Sequence, residues 1–189
     1  MDKLIKELYD REKARTLKYK DTDIWNNSDN AWLKYTDSTR KGRFGQNIMA
    51  NSITQVSTPA VVVNEGIGDC DIYLSEFGIS IEHKLATLDV NGCFQFNGIS
   101  KDKDYHLVIG LGVTPDNLYF CIASRTWLNQ KLTTEMTKDG GGFKWTKKMT
   151  DCLELTENNL RTALTRALAH LNSEGYTRTS LSQAALSLF

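Results

Sequence analysis

Residues 68–87 read GDCDIYLSEFGISIEHKLAT. Asp69 to Leu74 and Gly78 to Leu85 are two extended runs, and Ser75-Glu-Phe-Gly78 between them carries the turn chemistry. Side chains alternate along a strand, so Glu82 and Lys84 leave on one side and His83 on the other. Folding the two runs as a hairpin brings Asp71 across to the edge that carries Glu82. Two carboxylates beside one ammonium suit a hard divalent cation such as Mg²⁺, with a cation at hand to orient a water and steady a phosphate. Asp69 has the same strand parity as Asp71. Asp71 directly precedes the apolar Ile72-Tyr-Leu74, whereas Asp69 beside Gly68 reads as a turn former with a second metal as its other use.

Outward from this hairpin the pattern alternates helix and strand. Residues 2 to 20 read as a charged amphipathic helix, and 21 to 41 as polar loop anchored by Trp25 and Trp32. A helix is expected from Gly42 to Ile53. Pro59 to Val63 is a short apolar run. Tyr105 to Leu111 and Leu118 to Ala123 are apolar strands separated by the turn residues Val113 to Asn117. Ser124 to Leu132 reads as a short helix. Gly140-Gly-Gly142 reads as a flexible break, and Thr156 caps a last helix that runs to Leu171. Continuous apolar strands are buried on both faces, which implies helices on both sides of the sheet. The expected fold is α/β (or α+β), a central mixed sheet of four to five strands flanked by helices, as one domain over 1–189.

The bulk composition narrows the class. The chain has 189 residues, 40% hydrophobic and 24% charged, enough to bury a core. No apolar run is long enough to span a bilayer, and the first residues lack the apolar region of a secretory signal. The four cysteines, Cys70, Cys93, Cys121 and Cys152, form no CxxC pair, and reduced thiols in a cytoplasmic protein are expected. Net charge is zero, which argues against a non-specific nucleic-acid coat protein. The positive charge is nevertheless clustered: Arg11, Lys13, Arg15, Lys18 and Lys20; then Arg40, Lys41 and Arg43; then Lys144, Lys147 and Lys148.

Asp71 with Glu82-x-Lys84 resembles the active-site motif of the PD-(D/E)xK nuclease superfamily, to which many restriction endonucleases belong. The order of a helix, the hairpin and two further strands agrees with that superfamily's core, and the resemblance covers residues 40 to 130. It implies a restriction-endonuclease-like fold and hydrolysis of phosphodiester bonds in double-stranded DNA. Asp71 and Glu82 would then be Mg²⁺ ligands, with Mn²⁺ as a substitute, helped by the backbone carbonyl of His83. Lys84 would hold or deprotonate the attacking water. The segment Arg40 to Gln46 resembles the start of the superfamily's first core helix. Many members place a glutamate there, where this chain has Gln46, an amide able to hold a metal-bound water without adding charge.

Three further stretches are candidates for DNA contact or for ordinary surface. Arg40, Lys41 and Arg43 suit phosphates. Gln95 and Asn97 suit the DNA backbone or a base, or equally a turn's own backbone. Lys144, Lys147 and Lys148, among glycines and aromatics, suit a loop following a groove. The resemblance implies a type II restriction endonuclease acting as a homodimer, with no membrane partner. A repair or mismatch nicking endonuclease and a junction resolvase share the same site. A DNA-binding module that has lost catalysis is the reading from another class.

Overall fold

The computed structural model describes residues 5–8, 10–11, 24–25, 28–63, 70–131 and 136–176. Asp69 and four of the first basic cluster, Lys13, Arg15, Lys18 and Lys20, lie outside them. Of the expected first helix, residues 5–8 and 10–11 are described, and they are helical.

The chain is a mixed α/β protein of three layers. Helix α1 (Ala31–Tyr35) interrupts the polar segment that reads as loop. Trp25 and Trp32 anchor that segment as expected, each only 1% exposed, with Trp32 edge-on to Phe44 at 5.0 Å. Helix α2 (Ser38–Val56) is longer than its apolar spacing suggests. The extra first turn forms because Asp37 caps it, its carboxylate accepting from the Arg40 amide at 2.9 Å. Helix α3 spans Arg125–Lys131, and helix α4 spans Glu157–Ser173 with Thr156 as its cap.

A mixed sheet of six strands runs in the order β1-β2-β3-β5-β6-β9. Its members are β1 (Ala60–Val62), β2 (Ile72–Leu74), β3 (Ile79–Thr87), β5 (Leu107–Val113), β6 (Leu118–Ser124) and β9 (Leu153–Glu154). The expected four to five strands become six because β9, a two-residue edge strand with no apolar alternation to reveal it, pairs with Tyr119 and Phe120. β2 and β3 form the expected antiparallel hairpin, with Ile72 opposite Ile81 and Leu74 opposite Ile79. β3 and β5 are parallel.

One face of the sheet carries α2 and α4 over a core of Ile79, Ile81, Leu107, Ile109, Leu111, Ile48, Ile53, Leu160 and Leu164. The other face is covered not mainly by helices but by a second sheet, in the order β4-β8-β7. Its strands are β4 (Cys93–Ile99), β7 (Met136–Asp139) and β8 (Gly142–Lys148). The crossover from β3 to its parallel neighbour β5 thus runs through a strand, where a helix is the usual solution. Gly110 and Gly112 make this possible. A Cβ at Gly110 would lie 2.7 Å from the Phe96 ring, and one at Gly112 2.6 Å from the Phe94 ring. Bare backbone at alternate positions of β5 lets two aromatic rings of β4 sit directly on the first sheet. The expected flexible break at Gly140 to Gly142 is the turn of the β7–β8 hairpin, and Lys144 to Lys148 lie in β8, not in a loop. No described helix is long and apolar enough to cross a membrane.

Candidate active site

The hairpin register stations the two acids. Ile72 stands opposite Ile81, so Asp71, one step further, stands across from Glu82. Asp71 leaves the ladder at this point. Its amide donates to the Ile81 carbonyl at 2.9 Å, while its own carbonyl turns the other way and accepts from Val63 in the β1 direction. The carboxylate takes over on the β3 side, with Oδ2 accepting from the His83 amide at 2.8 Å. Oδ1 accepts from the Gln46 side-chain amide of α2 at 3.0 Å. Residue 46 therefore does sit beside the acid, as its place in the sequence suggests.

That placement depends on a close helix approach. A Cβ on Gly45 would lie 2.6 Å from His83 Cε1 and 2.9 Å from Leu85 Cδ1. The missing side chain lets α2 cross β3 at this point and delivers the next residue, Gln46, to Asp71. His83 and Leu85 pack under the helix, while Glu82 and Lys84 leave on the opposite face, toward the second sheet. The His83 ring is fully buried, and its Nε2 has no hydrogen-bond partner among the described residues. Burial, with Lys84 adding to it, pushes the imidazole down to about 3, so the ring is neutral. The backbone of His83 is another matter. Its N–H points at Asp71, and the carbonyl of a strand residue leaves on the same edge as its N–H.

Glu82 is wholly buried between the two sheets, at 0% exposure. A carboxylate there is tolerable only with counter-charges, and it has two. Lys84 Nζ lies 2.6 Å from Oε1. Lys103 Nζ lies 3.1 Å from Oε2 and 3.4 Å from Oε1. Lys103 is a site residue that the sequence does not reveal. It lies between β4 and β5 in Lys101-Asp-Lys-Asp104, a run that reads as an ordinary solvated turn. The turn is held at both ends, with Arg125 Nη2 donating to the Lys101 carbonyl at 3.4 Å. Arg125 Nη1 binds Asp104 Oδ1 at 2.6 Å, and the Ser80 hydroxyl donates to the Asp104 carbonyl at 3.3 Å. The His106 amide donates to the Ser80 carbonyl at 2.9 Å. Tyr105 completes the wall: it is buried, and burial together with Glu82 pushes its phenol up to about 12, against the opposing pull of Arg125.

Asp71 is held above the usual carboxylate range, first by burial and then by the neighbouring Glu82 charge; the His83 amide, Lys84 and Lys103 oppose this. The Glu82 charge that raises Asp71 is a close neighbour, and two neighbouring carboxylates can share a cation. Among the described residues no cluster of three or more His, Cys, Asp or Glu side chains suits a metal ion. Two carboxylates are nevertheless a fitting donor set for Mg²⁺, which keeps most of its waters and takes one or two protein carboxylates. Asp71, Glu82 and the His83 carbonyl meet that description.

The candidate DNA-contact residues divide. Arg43 is exposed on α2, one turn before Gln46, on the helix face nearest the acids. Its neighbours have structural work. Arg40 approaches Asp37 at 3.9 Å, and Lys41 Nζ donates to the Lys34 carbonyl at 3.0 Å, with burial lowering its proton affinity. Gln95, Asn97, Lys144 and Lys148 lie on the outer surface of the second sheet, the thickness of that layer away from Glu82, and Gln95 donates to Asp89 at 2.7 Å. Lys147 points inward and lies over the rings of Trp127 and Trp145, 5.7 and 5.4 Å from their centroids. The structure thus brings together Gln46, Asp71, Glu82 and Lys84, adds Lys103, and leaves the lysines of β8 elsewhere. No protein-family model matches the chain, and no curated protein matches it either.

Proposed function

We propose that this protein is a Mg²⁺-dependent endonuclease of the PD-(D/E)xK superfamily, with a restriction-endonuclease-like core. In the most specific form of this reading it is a type II restriction endonuclease. It would work in the cytoplasm as a homodimer and cut double-stranded DNA at a short specific sequence. The observation that carries the reading is the Asp71 carboxylate held on β3 by the His83 amide at 2.8 Å, next to Glu82, with Lys84 Nζ 2.6 Å from the Glu82 carboxylate. Asp71, Glu82 and the His83 carbonyl would hold the ion, and Mn²⁺ would substitute for Mg²⁺.

A bound divalent ion would supply charge neutralisation at the phosphate and a more acidic water. The residues of the chain do the rest. The His83 amide and Gln46 fix the Asp71 carboxylate in one orientation. Lys84, 22% exposed, is anchored on Glu82 with its ammonium turned to the site, where it can orient the attacking water and take part in its deprotonation. Arg43 supplies positive charge at the rim for the DNA backbone.

The test is incubation with unmethylated phage DNA in Mg²⁺ and separately in EDTA, alongside Asp71→Ala. Discrete Mg²⁺-dependent fragments, lost in the variant, are the expected result. Nicks or a smear would move the reading to a repair nicking enzyme or a junction resolvase. One observation favours a non-catalytic DNA-binding module: the helix residue that meets Asp71 is an amide, Gln46, which adds no charge for a metal. DNA binding without cleavage in either ion condition would favour that module.

A further inference from the structure

We propose that Lys103 is the exchangeable counter-ion of Glu82: it occupies the carboxylate until a divalent ion enters, then turns to a phosphate of the nucleic acid. The inference rests on the nuclease reading and extends it to a residue outside the motif.

Glu82 has no solvent exposure, and each of its oxygens is taken by an ammonium, Oε1 by Lys84 and Oε2 by Lys103. An ion shared with Asp71 needs at least one of those oxygens. Keeping both lysines in place would set two ammoniums and a divalent ion against two carboxylates, a net charge of two in a site walled by Tyr105 and the second sheet. One lysine must give way. The two are not equivalent. Lys84 is short of room, 22% exposed, rooted in the middle of β3, and 2.6 Å from its partner. Lys103 is 39% exposed, further from its oxygens, and rooted in a turn. The turn's backbone stays anchored through the Asp104 carbonyl and the His106 amide. The long flexible stem of a lysine moves at small cost where its backbone is fixed. Released, the ammonium remains beside the site, where a DNA phosphate is the charge it would meet.

The exchange makes a prediction that a static ion pair does not. Lys103 should contribute to DNA binding only when the ion is present. DNA affinity is measured by fluorescence anisotropy across a salt series, in Ca²⁺ (a divalent ion chosen to allow binding without turnover) and in EDTA. Wild type is compared with Lys103→Met and with Lys148→Met on the outer sheet. In Ca²⁺ the slope of log affinity against log salt should fall by about 0.9 in Lys103→Met, one phosphate contact, and in EDTA it should not change. Lys148→Met should behave alike in both. Calorimetry of Ca²⁺ binding should show Lys103→Met about two- to fivefold tighter than wild type, the worth of one half-exposed ion pair removed. Equal slopes for Lys103→Met and wild type in Ca²⁺, or an equal loss in both conditions, would overturn the exchange. Asp71→Asn separates the two levels: if it binds Ca²⁺ as wild type does, the metal site fails, whatever Lys103 does.

Discussion

The backbone amide of His83 donates to Asp71 Oδ2 at 2.8 Å. The residue between Glu82 and Lys84 therefore does two things at once. Its side chain anchors β3 under helix α2, and its backbone fixes the acid contributed by the neighbouring strand. The Asp71 carboxylate is thus held in part by the main chain of β3, independently of the Lys84 side chain.

Lys84→Ala is expected to abolish most cleavage while DNA binding survives. A positioned proton-transfer group contributes about 100-fold or more. Single-turnover cleavage beside anisotropy binding checks this, and full activity in the variant would remove Lys84 from the mechanism.

Gln46→Leu removes the donor to Asp71 Oδ1 and leaves a half-buried carboxylate oxygen without it. The loss should cost about 1–3 kcal/mol of stability, as for other hydrogen bonds to charged groups. Urea unfolding reads it, and an unchanged midpoint would mean that water replaces the amide.

Gly45→Val inserts atoms where even a Cβ would lie 2.6 Å from His83 Cε1. The helix must lift from β3, which should lower stability by about 1–3 kcal/mol, as overpacking usually does. It should also weaken Ca²⁺ binding, because Gln46 moves away from Asp71 with the helix. Gly42→Ala, which meets nothing within 4 Å, is the control.

The buried His83 ring makes the fold acid-sensitive. Its proton affinity is depressed to about 3 in the folded protein, so between the ordinary imidazole value of about 6.5 and about 3 the unfolded chain binds more protons. Stability is therefore undiminished above about 6.5. It falls on acidification by about 1.4 kcal/mol per pH unit until the folded value is reached. His106, also depressed by burial, adds in the same direction. Denaturant melts of His83→Leu should show a flatter decline over pH 6.5 to 4 than wild type, and parallel curves would remove His83 as the cause.

Much of this was legible in residues 68–87. Strand parity alone put Glu82 and Lys84 on one face and His83 on the other, and the hairpin brought Asp71 to the edge of β3 at His83. The apolar runs at 105–111 and 118–123 announced β5 and β6 to within two residues, and Thr156 announced the start of α4. Periodicity reports such things because it is a local consequence of which face each element buries.

What the sequence could not express is who covers a face. Nothing local marks Gly110 and Gly112 as the places where the Phe96 and Phe94 rings lie on β5. The second sheet, rather than helices, then encloses Glu82. Lys103 carries no signal at all, because a lysine in a polar turn looks the same whether it faces water or a buried carboxylate 21 residues away in sequence. Hydrophobic alternation and turn chemistry act between near neighbours, so the sequence by itself determined the hairpin and its acids. Burial of Glu82 and the choice of its second counter-charge arise from layers packed across long sequence separations, and only the tertiary structure decided those.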